Sequence, residues 1–334
     1  MFESDLSSDT KAILLLCGGL GQPRSLPPKP LTVSEYNKIA KWLLQHNLRP
    51  EDLFSSTGID KLQLYSHDIG IEPERIISLL SRGGALAISV DIWTNKGIWV
   101  VSRADEDYPE RLKTRLKSNA PPILYGSGSK ELLSMGGLAI VGSRNINDDG
   151  LWFSNRIAIT CAMQGIHIIS GGARGVDNEA MTAAIDEGGK VIGVLANNLS
   201  RSVVSKKFRD ALREEKLVLI SSFEPEAGFN VGNAMARNKY IYALSDWALV
   251  VNTTLNKGGT WTGAIENIKK GWVPLFIHSG NKLSIGNKQL IAQGGIEMPE
   301  KVKNNENLTG WLDKETKKSF KANNRKQVNQ LSLL

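Results

Sequence analysis

Two apolar stretches of the chain each end in glycine and arginine, a combination that can bind phosphate. Residues 138–141 run into Gly142, Ser143 and Arg144, and residues 167–169 run into the segment S-G-G-A-R-G-V-D at 170–177. Glycines at a strand-to-helix turn leave backbone N–H groups open to an anion, and an arginine side chain adds a forked positive charge. These two segments predict a site for a phosphorylated ligand.

Two later segments carry further glycines, hydroxyls and cations. Residues 236–239 read A-R-N-K, and residues 256–262 read N-K-G-G-T-W-T. Because ligands in an open parallel sheet bind beyond the carboxyl ends of the strands, we expect all four segments to meet at one edge. Asp177 is expected to cap the helix after the second strand. The candidate phosphate-binding residues are Gly142, Ser143, Arg144, Ser170, Gly171, Gly172, Arg174, Gly175, Arg237, Asn238, Lys239, Lys257, Gly258, Gly259 and Thr260.

The elements that must position these residues alternate between strand and helix. The predicted strands lie near residues 138–142, 167–170, 191–195, 217–221, 247–251 and 273–277. The predicted helices lie near residues 150–164, 177–187, 203–214, 233–244 and 261–269. Strands of nearly continuous Val, Ile and Leu, separated by helices, are typical of a parallel sheet covered on both faces. The fold class predicted is therefore α/β, with a doubly wound, mainly parallel sheet.

The chain before residue 97 has a helical pattern instead. Between residues 32 and 92 apolar side chains recur at helical spacing, and Pro73 stands where one of these helices would begin. A short strand near residues 97–102 and a connection over residues 105–137 follow. The pattern indicates a small helical domain in front of the sheet domain.

Composition limits the classes of partner and site. A chain of 334 residues, 41% of them apolar, is long enough for two globular domains, and its net charge of +7 mildly favours polyanionic partners. The two cysteines and four histidines form no metal-ligand pattern, so neither a metal nor a cofactor is expected. The apolar run at 13–17 is too short to span a bilayer. We expect a cytoplasmic protein that does not bind a membrane.

Two common nucleotide-binding motifs are absent. A dinucleotide site needs G-x-G-x-x-G after the first strand and an acidic residue about 20 residues later. Here the turn reads G-S-R-N-I-N, and the second strand ends in Ser170. No G-x-x-x-x-G-K-[ST] segment occurs either, which excludes a Walker-type triphosphatase.

Several motifs, in order along the chain, resemble those of the DprA/Smf family of DNA-processing proteins. The motifs are V-G-S-R at 141–144, S-G-G-A-R-G-V-D at 170–177, A-R-N-K-Y-I-Y-A-L-S-D at 236–246 and G-G-T-W-T-G-A at 258–264. The likeness extends to D-Y-P-E-R-L-K at 107–113, A-P-P-I-L-Y-G at 120–126 and G-N-K-Q-L-I-A-Q-G-G at 286–295. It covers most of the chain between residues 97 and 295.

The resemblance implies an extended Rossmann-like domain that binds single-stranded DNA without sequence preference. It also implies that the protein passes this DNA to a RecA-type recombinase, in DNA uptake and transformation or in recombination. A homodimer, no catalysis and phosphate contacts at the candidate residues follow from the same likeness. The implied domains are a SAM/HhH-like N-terminal helical domain at 1–96 and a DprA-type Rossmann-like DNA-binding domain at 97–295. Many members of the family end in a winged helix, but the polar, basic composition of residues 296–334 here predicts a C-terminal tail without one.

The sequence also departs from the family pattern. Ala180 and Met181 stand where the family usually has Ala-His, Lys239 ends a segment that is usually R-N-R, and the S-G-[ST] loop reads K-G-G-T at 257–260. Lysine in place of arginine keeps the charge but loses the bidentate fork.

A second family of the same superfamily provides the alternative function. The LOG-type phosphoribohydrolases carry an Arg-Lys pair and a P-G-G-x-G-T-x-x-E loop, and they cleave a base from a ribose phosphate. Here Asn238 separates the two cations, no proline precedes Gly258, and Glu266 falls one position late, a rotation of about 100 degrees on a helix. A nucleotide-binding sensor in phage defence is a related possibility. Trp261, beside the glycine loop, is a candidate either for base stacking or for the core.

Overall fold

The computed structural model describes residues 6–22, 26–65, 69–280, 283–300 and 307–331, with side chains described as far as residue 321. Its strands are β1 (Trp99–Ser102), β2 (Ile123–Ser127), β3 (Leu138–Val141), β4 (Ile168–Ser170), β5 (Val191–Val194), β6 (Leu217–Ser221), β7 (Trp247–Val250), β8 (Leu275–His278) and β9 (Ile296–Met298).

The helices in these ranges are α1 (Ser8–Cys17), α2 (Val33–Gln45), α3 (Ser56–Tyr65), α4 (Pro73–Leu80), α5 (Gly83–Asn95), α6 (Glu110–Leu116), α7 (Leu132–Met135), α8 (Asp148–Met163), α9 (Val176–Asp186), α10 (Leu199–Val203), α11 (Lys206–Arg213), α12 (Val231–Leu244), α13 (Gly258–Lys270), α14 (Ile285–Ala292) and α15 (Leu308–Leu331). Two short 3-10 helices, Pro50–Phe54 and Lys117–Asn119, complete the regular structure in the described ranges.

The chain divides into two compact units. The first comprises residues 1–134, 195–213 and 218–233, and the second comprises residues 135–194, 214–217 and 234–334. The helical segment predicted at 1–96 falls within the first unit, and all fifteen candidate phosphate-binding residues fall within the second. The domain boundaries expected from the sequence remain a prediction.

The second unit is built on a parallel sheet of six strands in the order β5-β4-β3-β7-β8-β9. From β3 the chain winds outward through α8, β4, α9 and β5, and from β7 it winds the other way through α13, β8, α14 and β9. Every residue of β3, β4 and β5 is buried, as a sheet covered on both faces requires. This confirms the predicted α/β fold class and its doubly wound, mainly parallel sheet.

The first unit contains α1–α7, α10 and α11, together with a small antiparallel arrangement of strands. In it β2 pairs with β1 on one side and with residues 219–221 of β6 on the other. The helical pattern predicted for residues 32–92 corresponds to α2–α5 and the first 3-10 helix. Taken singly, none of the described helices is both long and apolar enough to cross a membrane, although the bent pair α4 and α5 together meets that criterion by length and composition.

Helix α1 was not predicted as an element, since its apolar residues 12–17 are consecutive and so show no helical period. Ala12, Ile13 and Leu14 are fully buried. Its carboxyl end is bound by the buried guanidinium of Arg82, which donates hydrogen bonds to the carbonyl oxygens of Leu15, of Gly18 (2.9 Å) and of Gly19 (3.3 Å). Burial lowers the pKa of Arg82. Because a buried charge is costly without hydrogen-bond partners, Arg82 stabilises the fold only through its bonds to these carbonyl groups.

The predicted polar tail after residue 295 is more ordered than expected. Residues 296–298 form β9, which pairs with β8 and extends the parallel sheet, and residues 308–331 form α15. Leu308 and Leu312 are buried, and the ring of Trp311 lies 5.6 Å from that of Phe276. Three apolar side chains at helical spacing are enough to anchor the helix, although its composition is largely charged.

Arg82→Met is expected to lower the free energy of unfolding by about 3 kcal/mol, because it removes the charged donors to four buried carbonyl groups, that of Leu79 included, and keeps most of the aliphatic stem. Urea denaturation followed by circular dichroism measures this change. The matched control is Arg209→Met, since the Arg209 side chain on α11 is 58% exposed. Equal effects of the two substitutions would contradict this role for Arg82.

The ion pair between Glu35 and Arg75 makes stability depend on pH. The Arg75 hydrogen bond of 2.7 Å is the main cause that lowers the pKa of Glu35 to about 2. A lowered pKa in the folded state adds stability that is present above the unfolded value of 4.5 and lost as the pH falls toward 2. Glu35→Gln is thus expected to cost about 1 kcal/mol at pH 7 and progressively less below pH 4.5. A pH series of urea denaturation curves checks this, and a cost that does not change with pH would refute it.

Candidate functional site

The direction of winding reverses between the adjacent strands β3 and β7, which leaves a crevice where their following loops diverge. Two hydrogen bonds tie these loops together. The N–H group of Ser143 donates to the carbonyl oxygen of Asn252 (3.0 Å), and the hydroxyl of Thr260 donates to that of Gly142 (2.9 Å). The predicted segments 142–144 and 257–260 therefore meet, as expected from the sequence.

The loop after β4 lies against the same place. Gly175 has φ +89°, and a Cβ atom there would lie 2.5 Å from the carbonyl oxygen of Ser143 and 2.8 Å from that of Arg144. Only glycine permits both this backbone conformation and this close approach. The segment 170–177 is thus joined to the segment 142–144.

Asp177 organises the turns that follow β3 and β4. It is not the N-cap of α9 as predicted, because that position belongs to Gly175, and the Asp177 side chain is buried within the first turn. There its carboxylate accepts hydrogen bonds from the N–H groups of Gly142, Gly171 and Ala173. Burial raises the pKa of Asp177, while the charge of Arg237 and these three donors oppose the rise.

Arg237 lies behind the glycine turn rather than on the open surface. Its side chain is only 4% exposed, and a Cβ atom on Gly171 would lie 1.6 Å from its Nη1 atom. Burial lowers the pKa of Arg237, the charge of Asp177 opposes this, and the nearby Arg144 reinforces it. Its Nε and Nη1 atoms have no hydrogen-bond partner among the described residues. The result is a buried positive charge, with unused donors, beneath the turn.

Two further predicted cations, Lys239 in α12 and Lys257 at the start of α13, have different surroundings. Asn238 donates a hydrogen bond to the carbonyl oxygen of Gly259 (3.0 Å), which joins α12 to α13. Lys239 is half-buried, which lowers its pKa, and the charge of Glu266 on α13 opposes this. Lys257 is exposed at the N-cap position of α13, which has no side-chain cap. All four predicted segments converge, but Arg237 is buried and Lys239 is half-buried.

A cleft of about 420 Å³ opens beside these turns. The exposed side chains of Arg144 and Arg174 line it, together with the first turn of α9. Arg174 donates a hydrogen bond from Nη2 to Oδ1 of Asn145 (2.8 Å), which orients its guanidinium. The full lining is Arg144, Asn145, Ile146, Leu151, Arg174, Gly175, Asn178 and Glu179. This cleft offers two guanidinium groups, which bind phosphate well.

Ser170 and Trp261 have structural positions. The hydroxyl of Ser170 is fully buried and donates to the carbonyl oxygen of Ile140 (2.6 Å). Trp261 is only 8% exposed, so of its two predicted roles the structure supports the core. Gly172 and Gly258 have φ +64° and +84°, which keeps their turns tight. No group of three His, Cys, Asp or Glu side chains that could hold a metal ion occurs in the described part of the chain.

Sequence reasoning missed Asn287, a buried side chain that fixes the loop after β7. Its Nδ2 atom donates to the carbonyl oxygens of Val251 and His278 (3.0 Å each), and its Oδ1 atom accepts from the N–H group of Thr253 (3.0 Å). The motif G-N-K-Q-L at 286–290 was the available signal. Only the structure shows that Asn287 joins the ends of β7 and β8 by hydrogen bonds.

Comparison with known proteins gives consistent results. A family model described as DNA recombination-mediator protein A matches residues 99–307. Protein Smf of Escherichia coli is 32% identical over 230 residues, which cover 67% of this chain and 61% of that protein. DNA processing protein DprA of Bacillus subtilis is 28% identical over 181 residues, covering 54% of this chain and 60% of that protein. The chain thus spans about three fifths of the length of these curated relatives.

Two solved structures share the fold. DNA processing protein A from Streptococcus pneumoniae matches with a TM-score of 0.67 and 20% identity, over 88% of this chain and 95% of that one. DNA processing protein A from Helicobacter pylori matches with a TM-score of 0.51 and 22% identity, over 66% of this chain and 96% of that one. At these identities the likeness concerns the fold.

Gly171→Ala is expected to lower the free energy of unfolding by about 2 kcal/mol, because the new methyl group must displace the buried guanidinium of Arg237. In an Arg237→Ala background the same substitution is expected to cost about half as much or less, since the space is then open. A double-mutant cycle by urea denaturation measures this coupling. Gly228→Ala is the control, as nothing lies within 4 Å of the added atom there. Equal costs of Gly171→Ala in both backgrounds would contradict the contact.

Proposed function

The chain belongs to the DNA recombination-mediator protein A family, and we propose that it binds single-stranded DNA without sequence preference through the cleft between Arg144 and Arg174. The pair of exposed arginines beside the first turn of α9 carries this proposal. Each of these side chains can form two parallel hydrogen bonds to a phosphate. The relatives are DNA-processing proteins by description, and the Helicobacter pylori protein of this fold binds single-stranded DNA.

The physical basis is electrostatic. A protein that contacts backbone phosphates releases counterions from the nucleic acid, and this contribution to affinity does not depend on base sequence. The buried guanidinium of Arg237 adds positive potential from beneath, in a region where water screens charge poorly. The charge of Asp177 offsets part of it. Two surface arginines over one buried arginine therefore favour an anionic strand at this edge.

Further parts of the proposal follow from family membership. We propose that the protein acts as a cytoplasmic homodimer, has no catalytic residues or cofactor, and passes bound DNA to a RecA-type recombinase. The polar candidate residues that are not buried are Ser143, Arg144, Arg174, Asn238, Lys239, Lys257 and Thr260. Of these we propose Arg144, Arg174 and Lys257 as the direct phosphate contacts, because they are exposed. The glycines of the segments 142–144, 170–177 and 256–262 shape the turns.

The position of Glu266 disfavours the alternative of nucleotide cleavage. Glu266 lies eight residues into α13, about 12 Å along the helix axis from Gly258. Its charge acts on Lys239 rather than on a group that lines the cleft. The Glu266 carboxylate would therefore not lie beside a nucleotide bound in the cleft.

The double substitution Arg144→Ala and Arg174→Ala is expected to weaken binding of any single-stranded oligonucleotide at least about tenfold, since it removes two charged hydrogen-bonding groups. The slope of log affinity against log salt should fall by about 0.7 for each phosphate that the variant no longer neutralises. Fluorescence anisotropy with labelled oligo(dT) and with a mixed sequence, at two salt concentrations, measures both.

The matched control removes two positive charges elsewhere, with Lys269→Ala and Lys270→Ala in the last turn of α13. Equal affinity and equal salt slope for the parent, the control and the cleft variant would refute DNA binding at this cleft. Competition by a nucleoside monophosphate, with no binding of oligonucleotide, would favour the nucleotide-binding alternative.

A further inference from the structure

One large aromatic side chain near the cleft is not in the core. Trp152, in the second turn of α8, is 50% exposed. Exposed apolar side chains are common on protein surfaces and need no function. Trp152 differs from most of them because the preceding residue lines the cleft and a cation lies over its ring.

Trp152 is held beside the cleft by its neighbours in sequence. Leu151 lines the cleft directly. Asn155, one turn further along α8, donates a hydrogen bond from Nδ2 to Oε1 of Glu179 (2.8 Å), and Glu179 also lines the cleft. Leu151 and the Asn155–Glu179 hydrogen bond thus tie this part of α8 to the cleft margin, and Trp152 directly follows Leu151 in the helix.

The indole ring of Trp152 already has a cationic neighbour. The guanidinium carbon of Arg156, four residues later on the same helix, lies 5.2 Å from the ring centroid. A cation in this position steadies the ring by attraction to its π-face. Because Trp152 is still half exposed with Arg156 in place, the ring retains surface for a second flat partner.

We propose that Trp152 stacks on a base of the DNA strand whose phosphates lie between Arg144 and Arg174. This inference rests on the proposed function and specifies one further contact of the same site. Every base has a π-face, so stacking adds affinity without sequence preference. Trp261, the sequence-based candidate for this role, is buried and has no comparable open surface.

The test compares an ordinary strand with one that has no bases. Trp152→Ala is expected to weaken oligo(dT) binding about fivefold or more, and to change binding of an abasic oligonucleotide of the same length less than about twofold. Arg144→Ala should weaken binding of both strands, because both carry the phosphates. Trp152→Phe should retain part of the affinity for oligo(dT). The control is Met163→Ala, which removes a 73% exposed apolar side chain at the other end of α8.

The outcomes separate this inference from the proposed function. If the parent protein binds oligo(dT) and Trp152→Ala binds it like Met163→Ala, the stacking inference is wrong and the proposed function stands. Equal losses on oligo(dT) and on the abasic strand would also overturn stacking, since such losses arise from a change in the fold or in the phosphate contacts. Failure of the parent to bind either strand would overturn the proposed function itself.

Discussion

The buried carboxylate of Asp177 is the interaction on which the arrangement of the site depends. It accepts the N–H groups of Gly142, Gly171 and Ala173, which belong to turns after two different strands, and it balances the charge of Arg237. A charged group is stable inside a protein only when it is paired and hydrogen-bonded. The charges of Asp177 and Arg237 offset each other in part, and the turns must stay close to Asp177 for their N–H groups to reach its carboxylate. The glycines at 171 and 175 make that closeness possible, because a side chain at either position would collide with Arg237 or with the backbone at 143–144.

This arrangement separates the cations into two kinds. Arg237 is buried and acts as a fixed source of positive potential, whereas Arg144 and Arg174 are exposed at the cleft, where a ligand can reach them. The buried charge costs desolvation energy, which Asp177 offsets only in part, and its Nε and Nη1 donors remain unused among the described residues. Positive charges of both kinds near one edge of the sheet favour anions over neutral ligands.

The sequence predicted the scaffold better than the side-chain roles. Six strands of continuous apolar residues and the turns after them were identifiable, because parallel strands buried on both faces leave a distinctive pattern. Helix α1 and the three-residue strand β9 were missed, since neither shows a periodic contrast between apolar and polar positions. Arg237 and Lys239 were grouped with Arg144 because charge is visible in sequence and burial is not. Positions two apart on a helix point about 200 degrees apart, so adjacent cations in α12 have different neighbours. Asn287 makes three hydrogen bonds to residues distant in sequence, and no local pattern predicts them.

In our proposal one cleft, flanked by Arg144 and Arg174 and supported by the pair Asp177–Arg237, receives the DNA strand. Hydrogen exchange followed by mass spectrometry, with and without saturating oligo(dT), tests this on the parent protein without any substitution. We expect slower exchange of backbone amides in residues 142–146 and 171–179, with little change in the last turn of α13. Protection confined to other parts of the chain, with these two segments unaffected, would refute binding at this cleft.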